Sequence, residues 1–501
     1  MDNFIIGAQA VLNLPSILLI VIGIITGIIF GAIPGLSATM AIALFLPITY
    51  GLSPTQGIVL LIALYVGGIS GGLISAILTH IPGTPSSVAT CFDGWPLTQK
   101  GQATKALGVG IVFSFIGTLF STIILIFLSP ILARFAIKFG AYEYFALGIF
   151  SLSMIGSLSG KSLAKGISSA LFGCMFATVG IDMIGAVPRF SFGVQSMKMG
   201  FNILPVMIGM FAVAEILKAA EESRHPLQSE TIKINIKGIK GFGFSWAEFR
   251  SQWSNGLYSS LIGTGIGILP GIGGGIANII AYSAVKNKSK YPEKFGSGII
   301  DGVVATETSN NAAIGGALVP LLCLGIPGDT VTAMLLGGLT LHGISPGPLM
   351  FTQNVDIVYG IFIALLISAV LMLLIEFYGL RAFVALLKLP KSTLLPGIFI
   401  FCVIGAFGVN NQMFDVWTVL LFGGIGYFFN KIKMPTAPFI LGFIIGPIIE
   451  VNLRRGLMFS QGSFAPFITS PIATVFLSAS LLSLVLSGIK NIRRKMDKKS
   501  I

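Results

Sequence analysis

Two stretches of the chain, GIIFGAIPGL at residues 27–36 and GTGIGILPGI at 263–272, repeat the pattern Gly-x3-Gly-x2-Pro-Gly inside apolar runs. Proline removes a helix hydrogen bond, and glycine reaches dihedrals that other residues avoid. Each stretch therefore predicts a helix broken within an apolar segment. A second pair follows in the same order, GGLISAILTHIPGTP at 71–85 and GGALVPLLCLGIPGDT at 315–330. The offsets are 236 residues for the first pair and 244 to 245 for the second. In a chain with 63 glycines one such pattern would mean little. Two ordered matches at nearly one offset indicate an internal duplication.

Composition sets the solvent. Of the 501 residues, 54% are hydrophobic and 10% charged, with a mean hydropathy of +0.92, whereas a soluble domain is about 25% charged. A water-soluble enzyme, a nucleic-acid module and a disordered scaffold are excluded on that ground. The apolar runs predict an all-α polytopic membrane protein with roughly 12 membrane segments, each spanning helix needing about 20 apolar residues. Several runs, such as 36–50 and 276–285, are too short to span, which predicts broken helices or re-entrant hairpins. The expected organisation is a first membrane repeat half at 1–217, a polar cytoplasmic connection at 218–254, a second half at 255–489 and a basic cytoplasmic tail at 490–501. The first run, Leu14 to Ile33, lacks the basic flank of a signal peptide and is expected to be retained. Cys91, Cys174, Cys323 and Cys402 lie far apart and are expected to be small core residues.

The net charge of +13 comes from 31 basic and 18 acidic residues, and the placement of the basic ones is informative. No Lys or Arg occurs from Met1 to Gln99, yet the second copy of the first motif is flanked by Arg250, Lys286, Lys288, Lys290 and Lys294. The second motif shows the reverse: Lys100 and Lys105 follow its first copy, and none lies between Lys294 and Arg381. Positive residues stay cytoplasmic, so the halves are expected to be inverted-topology repeats. The tail from Lys490 to Lys499 places the C-terminus in the cytoplasm.

At the first pair of breaks the candidate substrate-binding residues are Gly35, Ser37 and Thr39, and Gly271, Gly273, Gly274 and Asn278. A half-helix starting at a break offers bare N–H groups and the positive end of its dipole to an anion. The bland alternative is a proline kink with Gly-x3-Gly helix packing. At the second pair the candidates are Gly83, Thr84, Ser86 and Ser87, and Gly328, Thr330 and Thr332. Carbonyls near Pro82, Gly83, Pro327, Gly328 and Asp329 would suit Na⁺. Asn310 and Asn311, preceded by Glu307, add amides. No Lys or Arg lies within any of the four motifs, so an anion would depend on helix dipoles and a co-bound cation. That points to coupling with Na⁺ or H⁺ and to no other cofactor. Glu376 and Arg381 are expected to form an interfacial pair, His80 and His342 to be satisfied interfacial histidines, and Glu215 to be structural. No GxxxxGK, HExxH or complete GxGxxG fingerprint is present, so no enzyme is expected.

The order GAIPGLSAT (31–39), HIPGTPSSVATCFDGWPLTQKGQATKALG (80–108), GILPGIGGG (267–275) and PEKFGSGII through ISPGPLMF (292–351) resembles the large membrane subunit of bacterial tripartite tricarboxylate transporters, the TctA family. KFGAYEYFALGIF at 138–150 and PRFSFG at 188–193 extend the likeness over almost the whole chain. The resemblance implies a multi-pass protein of the bacterial inner membrane that imports small di- and tricarboxylates with a cation gradient. It also implies two partners: a small four-helix membrane subunit and a periplasmic or lipid-anchored substrate-binding protein. A passive anion channel, or an importer of another small organic solute, is the alternative. The exchange of basic flanks gives a direct test. Cysteines placed at Gln102 and Gln353 should label from opposite faces of the membrane, and labelling from one face would refute the inverted repeat.

Overall fold

The computed structural model describes residues 2–158, 162–222, 242–386 and 391–497. Residues 223–241 of the polar connection and 498–501 of the tail lie outside the described residues. The helices of the first half are α1 (Asp2–Val11), α2 (Leu14–Ala32), α3 (Ala38–Thr49), α4 (Pro54–Thr79), α5 (Thr90–Gln99), α6 (Ala103–Ala136), α7 (Ala141–Leu158) and α8 (Leu163–Ala177). A short hairpin, β1 (Gly180–Ile181) and β2 (Pro188–Arg189), precedes α9 (Ile203–Met207), which runs through a π-helical turn into α10 (Ala214–Glu222). After the connection come α11 (Trp246–Ile268), α12 (Gly273–Lys288), α13 (Ile300–Leu324), α14 (Thr330–Leu341), α15 (Met350–Gln353) and α16 (Val355–Leu386). The chain continues with α17 (Lys391–Asn410), α18 (Met413–Lys431), α19 (Thr436–Phe459), α20 (Ala465–Thr469) and α21 (Pro471–Asp497). Among the described residues 7 helices are long and apolar enough to cross a membrane, while α3, α8 and α14 are shorter apolar pieces. The protein is an all-α polytopic membrane protein.

Contacts divide the chain into two compact units, interleaved along the sequence. Unit 1 comprises Met1–Ala133, Glu215–Leu269 and Gly273–Gly405; unit 2 comprises Arg134–Ala214, Pro270–Ile272 and Ala406–Ile501. The centre of unit 1 is a pair of buried helices, α4 and α13. Every residue of α13 from Gly302 to Cys323 is buried, and the most apolar stretch of α4 is buried throughout.

The repeated glycines explain how these two helices are enclosed. Helix α2 lies against α4 so closely that a Cβ added at Gly27 would sit 2.6 Å from the Leu64 carbonyl oxygen, and one at Gly31 2.3 Å from that of Gly68. Helix α11 lies against α13 in the same way, with Gly263 meeting the Ser309 oxygen at 2.2 Å and Gly267 the Ala313 oxygen at 2.7 Å. Small residues at these positions let backbones approach where lipid supplies no hydrophobic drive. Each central helix also takes a long helix from the other part of the chain. Helix α16 packs on α4, while α6 crosses α13, where the Gly315 N–H donates to Ser121 Oγ at 3.3 Å.

The two breaks share their local geometry. Ile33 ends α2 at φ −82°, ψ 115° and Leu269 ends α11 at φ −77°, ψ 119°. The glycines two residues on, Gly35 and Gly271, take φ +92° and +80°. The second pair of turns shares a reciprocal cap: the Thr84 N–H donates to Ser87 Oγ at 3.2 Å, and the Asp329 N–H to Thr332 Oγ1 at 2.8 Å.

In unit 2, α19 packs on α7 and α8, and α21 on α7. The β1–β2 hairpin is pinned by ions. Arg454 donates to Asp182 at 2.7 Å, and Arg189 forks onto Glu450 at 2.6 and 3.3 Å. The hydrogen bond from Arg454 holds the Asp182 carboxyl below the usual carboxylate range. All four cysteines are free, three of them buried, and Glu215 pairs with Lys218 at 3.0 Å.

Gly27→Leu and Gly263→Leu should each separate a backbone contact and destabilise the protein by about 1–3 kcal/mol or more, as overpacking does. Gly397→Leu, where a Cβ meets nothing within 4 Å, should change little. Thermal unfolding of the detergent-purified variants checks this, and equal melting of all three would contradict the packing argument.

Candidate functional site

In unit 1 the short turns and the starts of the half-helices come together. At the start of α3, Ser37 Oγ accepts the Met40 N–H at 3.2 Å, so this hydroxyl oxygen caps its own helix. Thr39 Oγ1 lies 3.2 Å from Thr330 Oγ1 at the start of α14. The duplication maps Thr39 onto Gly275 and Thr330 onto Pro85, and that pair also meets: a Cβ at Gly275 would lie 3.4 Å from the Pro85 carbonyl oxygen. The same contact is thus made twice, once between hydroxyls and once at a glycine.

The glycines that open α12 bring backbone against polar side chains. A Cβ at Gly273, whose φ is +64°, would stand 2.7 Å from Asp329 Cβ. One at Gly274 would stand 2.7 Å from Asn310 Oδ1 and 3.3 Å from Ser86 Oγ. Asn278 donates through Nδ2 to the Ser86 carbonyl. Asn310 is 1% exposed, and neither its Oδ1 nor its Nδ2 has a hydrogen-bond partner. Asn278 Oδ1 and Thr84 Oγ1 are buried and unpartnered as well. The residues before α12, Gly271 and Ile272, carry no side-chain oxygen to cap it. Bare N–H groups at a helix start and unused amide and hydroxyl groups are what a small polar anion requires. Gly271 belongs to the segment grouped with unit 2.

Other candidates are spent on structure. Ser87 Oγ closes the turn onto the Thr84 carbonyl at 3.0 Å. Gly83 and Gly328 are close-packing positions: a Cβ would stand 2.1 Å from the Gly31 oxygen at the first and 2.6 Å from Ala317 Cα at the second. Thr332 caps with Asp329, donating its N–H to Oδ1 at 2.7 Å. Asp329 Oδ2 accepts the Tyr65 hydroxyl at 2.7 Å. Asn311 turns its Nδ2 to Ser114 Oγ at 2.9 Å and to the Glu307 carbonyl at 3.0 Å. Glu307 in turn accepts from the Thr90 hydroxyl and, at 3.3 Å, from that of Ser114. His80 packs on Trp95 at 5.8 Å between ring centroids, and His342 Nε2 lies 3.2 Å from Thr49 Oγ1.

One expectation is corrected. Glu376 does not pair with Arg381 at an interface. Five positions apart on a helix they point about 140° apart; Arg381 is exposed, while Glu376 is fully buried and accepts the Ser70 hydroxyl at 2.5 Å. Tyr65 was not singled out from sequence, although a lone phenol within IVLLIALYVGG is a visible signal. Asp93 was also missed. Its Oδ1 takes the N–H groups of Gly296, Gly298 and Ile299 at 2.8 to 3.1 Å and so anchors the loop that leads into α13.

Both breaks and these turns lie within a stretch that matches a sequence family. Residues 17–441 match the family described as the tripartite tricarboxylate transporter TctA family. The chain belongs to that family. A full-length relative in Agrobacterium vitis, described as an uncharacterized 52.8 kDa protein in the TAR-I ttuC' 3'region, is 34% identical over 99% of this chain and 98% of its own length. A second A. vitis protein, described as uncharacterized and in the TAR-II ttuC' 3'region, is 38% identical over 47% of this chain and 97% of its own length. No solved structure matches.

Asn310 separates a ligand site in this TctA-family chain from a structural pocket. An unpartnered buried amide costs stability, so Asn310→Leu should leave the melting temperature equal or higher. Loss of a hydrogen bond to a charged ligand should weaken substrate binding by about 1.5–3 kcal/mol. Titration of substrate alongside a thermal melt checks both; wild-type affinity in Asn310→Leu would remove the amide from the site.

Proposed function

We propose that the chain is the membrane-embedded large subunit of a binding-protein-dependent secondary importer of small di- and tricarboxylates. A Na⁺ or H⁺ gradient drives it, and the site opens to the two sides of the bacterial inner membrane in turn. The observation that carries this reading is the fully unpartnered Asn310 amide beside the glycine start of α12 and the Ser86 turn. Carboxylate oxygens would take the Asn310 and Thr39 donors and the bare N–H groups of the half-helix, whose dipole end is positive. No Lys or Arg is in the motifs to hold the anion permanently, which favours release once a co-bound cation leaves. The inverted relation of the halves, argued from the basic flanks, would let symmetric breaks serve both orientations.

The chain's family is that of tripartite transporters, and the proposed partners are a small four-helix membrane subunit and a periplasmic or lipid-anchored binding protein. Reconstituted alone, the chain should take up citrate poorly at micromolar concentration. Adding the small subunit and a loaded binding protein should restore uptake, and collapsing the ion gradient should abolish accumulation. Gly35→Val and Gly271→Val should stop uptake in protein that remains monodisperse, because a non-glycine residue at positive φ costs about 1–2 kcal/mol and its Cβ blocks approach to the N–H groups. Full uptake by the lone chain, or wild-type rates in both well-folded variants, would overturn the reading. Equilibration without accumulation would favour the channel.

A further inference from the structure

The buried carboxylate of Glu376 lies outside the site just described. It is on α16 where that helix packs on α4, and it is fully buried. Its Oε2 accepts the Ser70 hydroxyl at 2.5 Å, and its Oε1 has no partner. Glu307 makes the contrast: both of its oxygens accept hydroxyls, from Thr90 and Ser114. A buried carboxylate with one unpartnered oxygen is costly when ionised and far less so when protonated.

Among the described residues no cationic side chain bonds to Glu376. Phe377, beside Glu376, meets Phe242 of the segment that leads into α11, whose first charged residues are Glu248, paired with Lys105, and Arg250. Helix α16 also packs against α1, α2, α4 and α15. Their titratable side chains are Asp2 on α1 and Tyr65 on α4, and Tyr65 is already committed to Asp329; α2 and α15 carry none. On α16 itself are Asp356, Tyr359, Tyr378 and the exposed Arg381. Glu307 on α13 is of like sign and could not neutralise it. With Ser70 Oγ as the one hydroxyl on the carboxylate, the donor set is too small for Na⁺ and sufficient for a proton.

We propose that Glu376 is the proton-binding residue of the transport cycle, held by Ser70 between α16 and α4. The carboxylate takes one H⁺ from water on one side of the membrane, forming a neutral acid, and returns that H⁺ to water on the other side. This rests on the transport reading above and deepens it by assigning the coupling ion and its site.

Two measurements test it. Infrared difference spectra of the purified full-length chain across a pH titration should contain the carbonyl stretch of a protonated carboxylic acid, lost in Glu376→Gln and kept in Glu307→Gln. In the complete reconstituted transporter, Glu376→Gln holds the group neutral. It should lower accumulation driven by a pH gradient by about tenfold or more, within the range of ordinary coupling energies, and leave substrate exchange without a gradient within about twofold. Ser70→Ala should shift the midpoint of the pH profile, a change that a purely structural contact would not produce. An infrared band that persists in Glu376→Gln, or undiminished proton-driven accumulation in that variant, would overturn the proposal. If the wild-type complex moved no carboxylate, the transport reading would fall instead, and the infrared arm would still decide whether Glu376 exchanges a proton.

Discussion

A backbone N–H or carbonyl left bare in hydrocarbon costs several kcal/mol, and the packing of α2 and α11 answers to that constraint. Two helices are broken at Pro34-Gly35 and Pro270-Gly271. Such breaks survive only where protein surrounds them. The glycines one and two turns earlier, Gly27 and Gly31 on α2 and Gly263 and Gly267 on α11, supply that cover by seating each broken helix directly on the backbone of α4 or α13. The packing glycines and the turn glycines are therefore one device. Of the two alternatives posed from sequence, packing accounts for Gly27, Gly31, Gly263 and Gly267, while Gly35 and Gly271 take the positive φ of the turns.

The polar residues of α13 show how such a buried interior is partitioned. Thr306 to Asn311 are six consecutive polar side chains, all essentially inaccessible. Thr308 and Ser309 return their hydroxyls to the helix's own carbonyls, and Glu307 and Asn311 bond to hydroxyls of α5 and α6. Asn310 alone of the two asparagines keeps its whole amide unused. Since a buried polar group is ordinarily satisfied, the exception carries more functional weight than its neighbours.

Several features were legible before any coordinates. The low charge content announced the membrane, and Pro-Gly inside apolar runs announced the breaks. The two pairs of motifs announced a duplication whose local geometry recurs in the caps at Thr84 and Asp329. The residue roles at the site were less legible. Ser37 and Thr332 have the chemistry of ligand donors but are used as helix caps, because a hydroxyl beside a helix start finds the free N–H three residues on. Glu376 looked like one half of a surface pair because Arg381 is near in sequence; helical phase sends the two to different faces.

The sequence by itself determined the solvent, the helical class, the family and the positions at which helices must break, since each depends on residues adjacent in the chain. Tertiary structure decided which polar atoms are consumed and which stay bare. Tyr65 and Asp329 are 264 residues apart, and Ser70 and Glu376 are 306 apart. Hydrogen-bond partnership acts over about 3 Å, so no local pattern reveals that Asp329 is occupied, that Asn310 is free, or that one oxygen of Glu376 faces nothing. Those assignments exist only once α4, α13 and α16 are packed together.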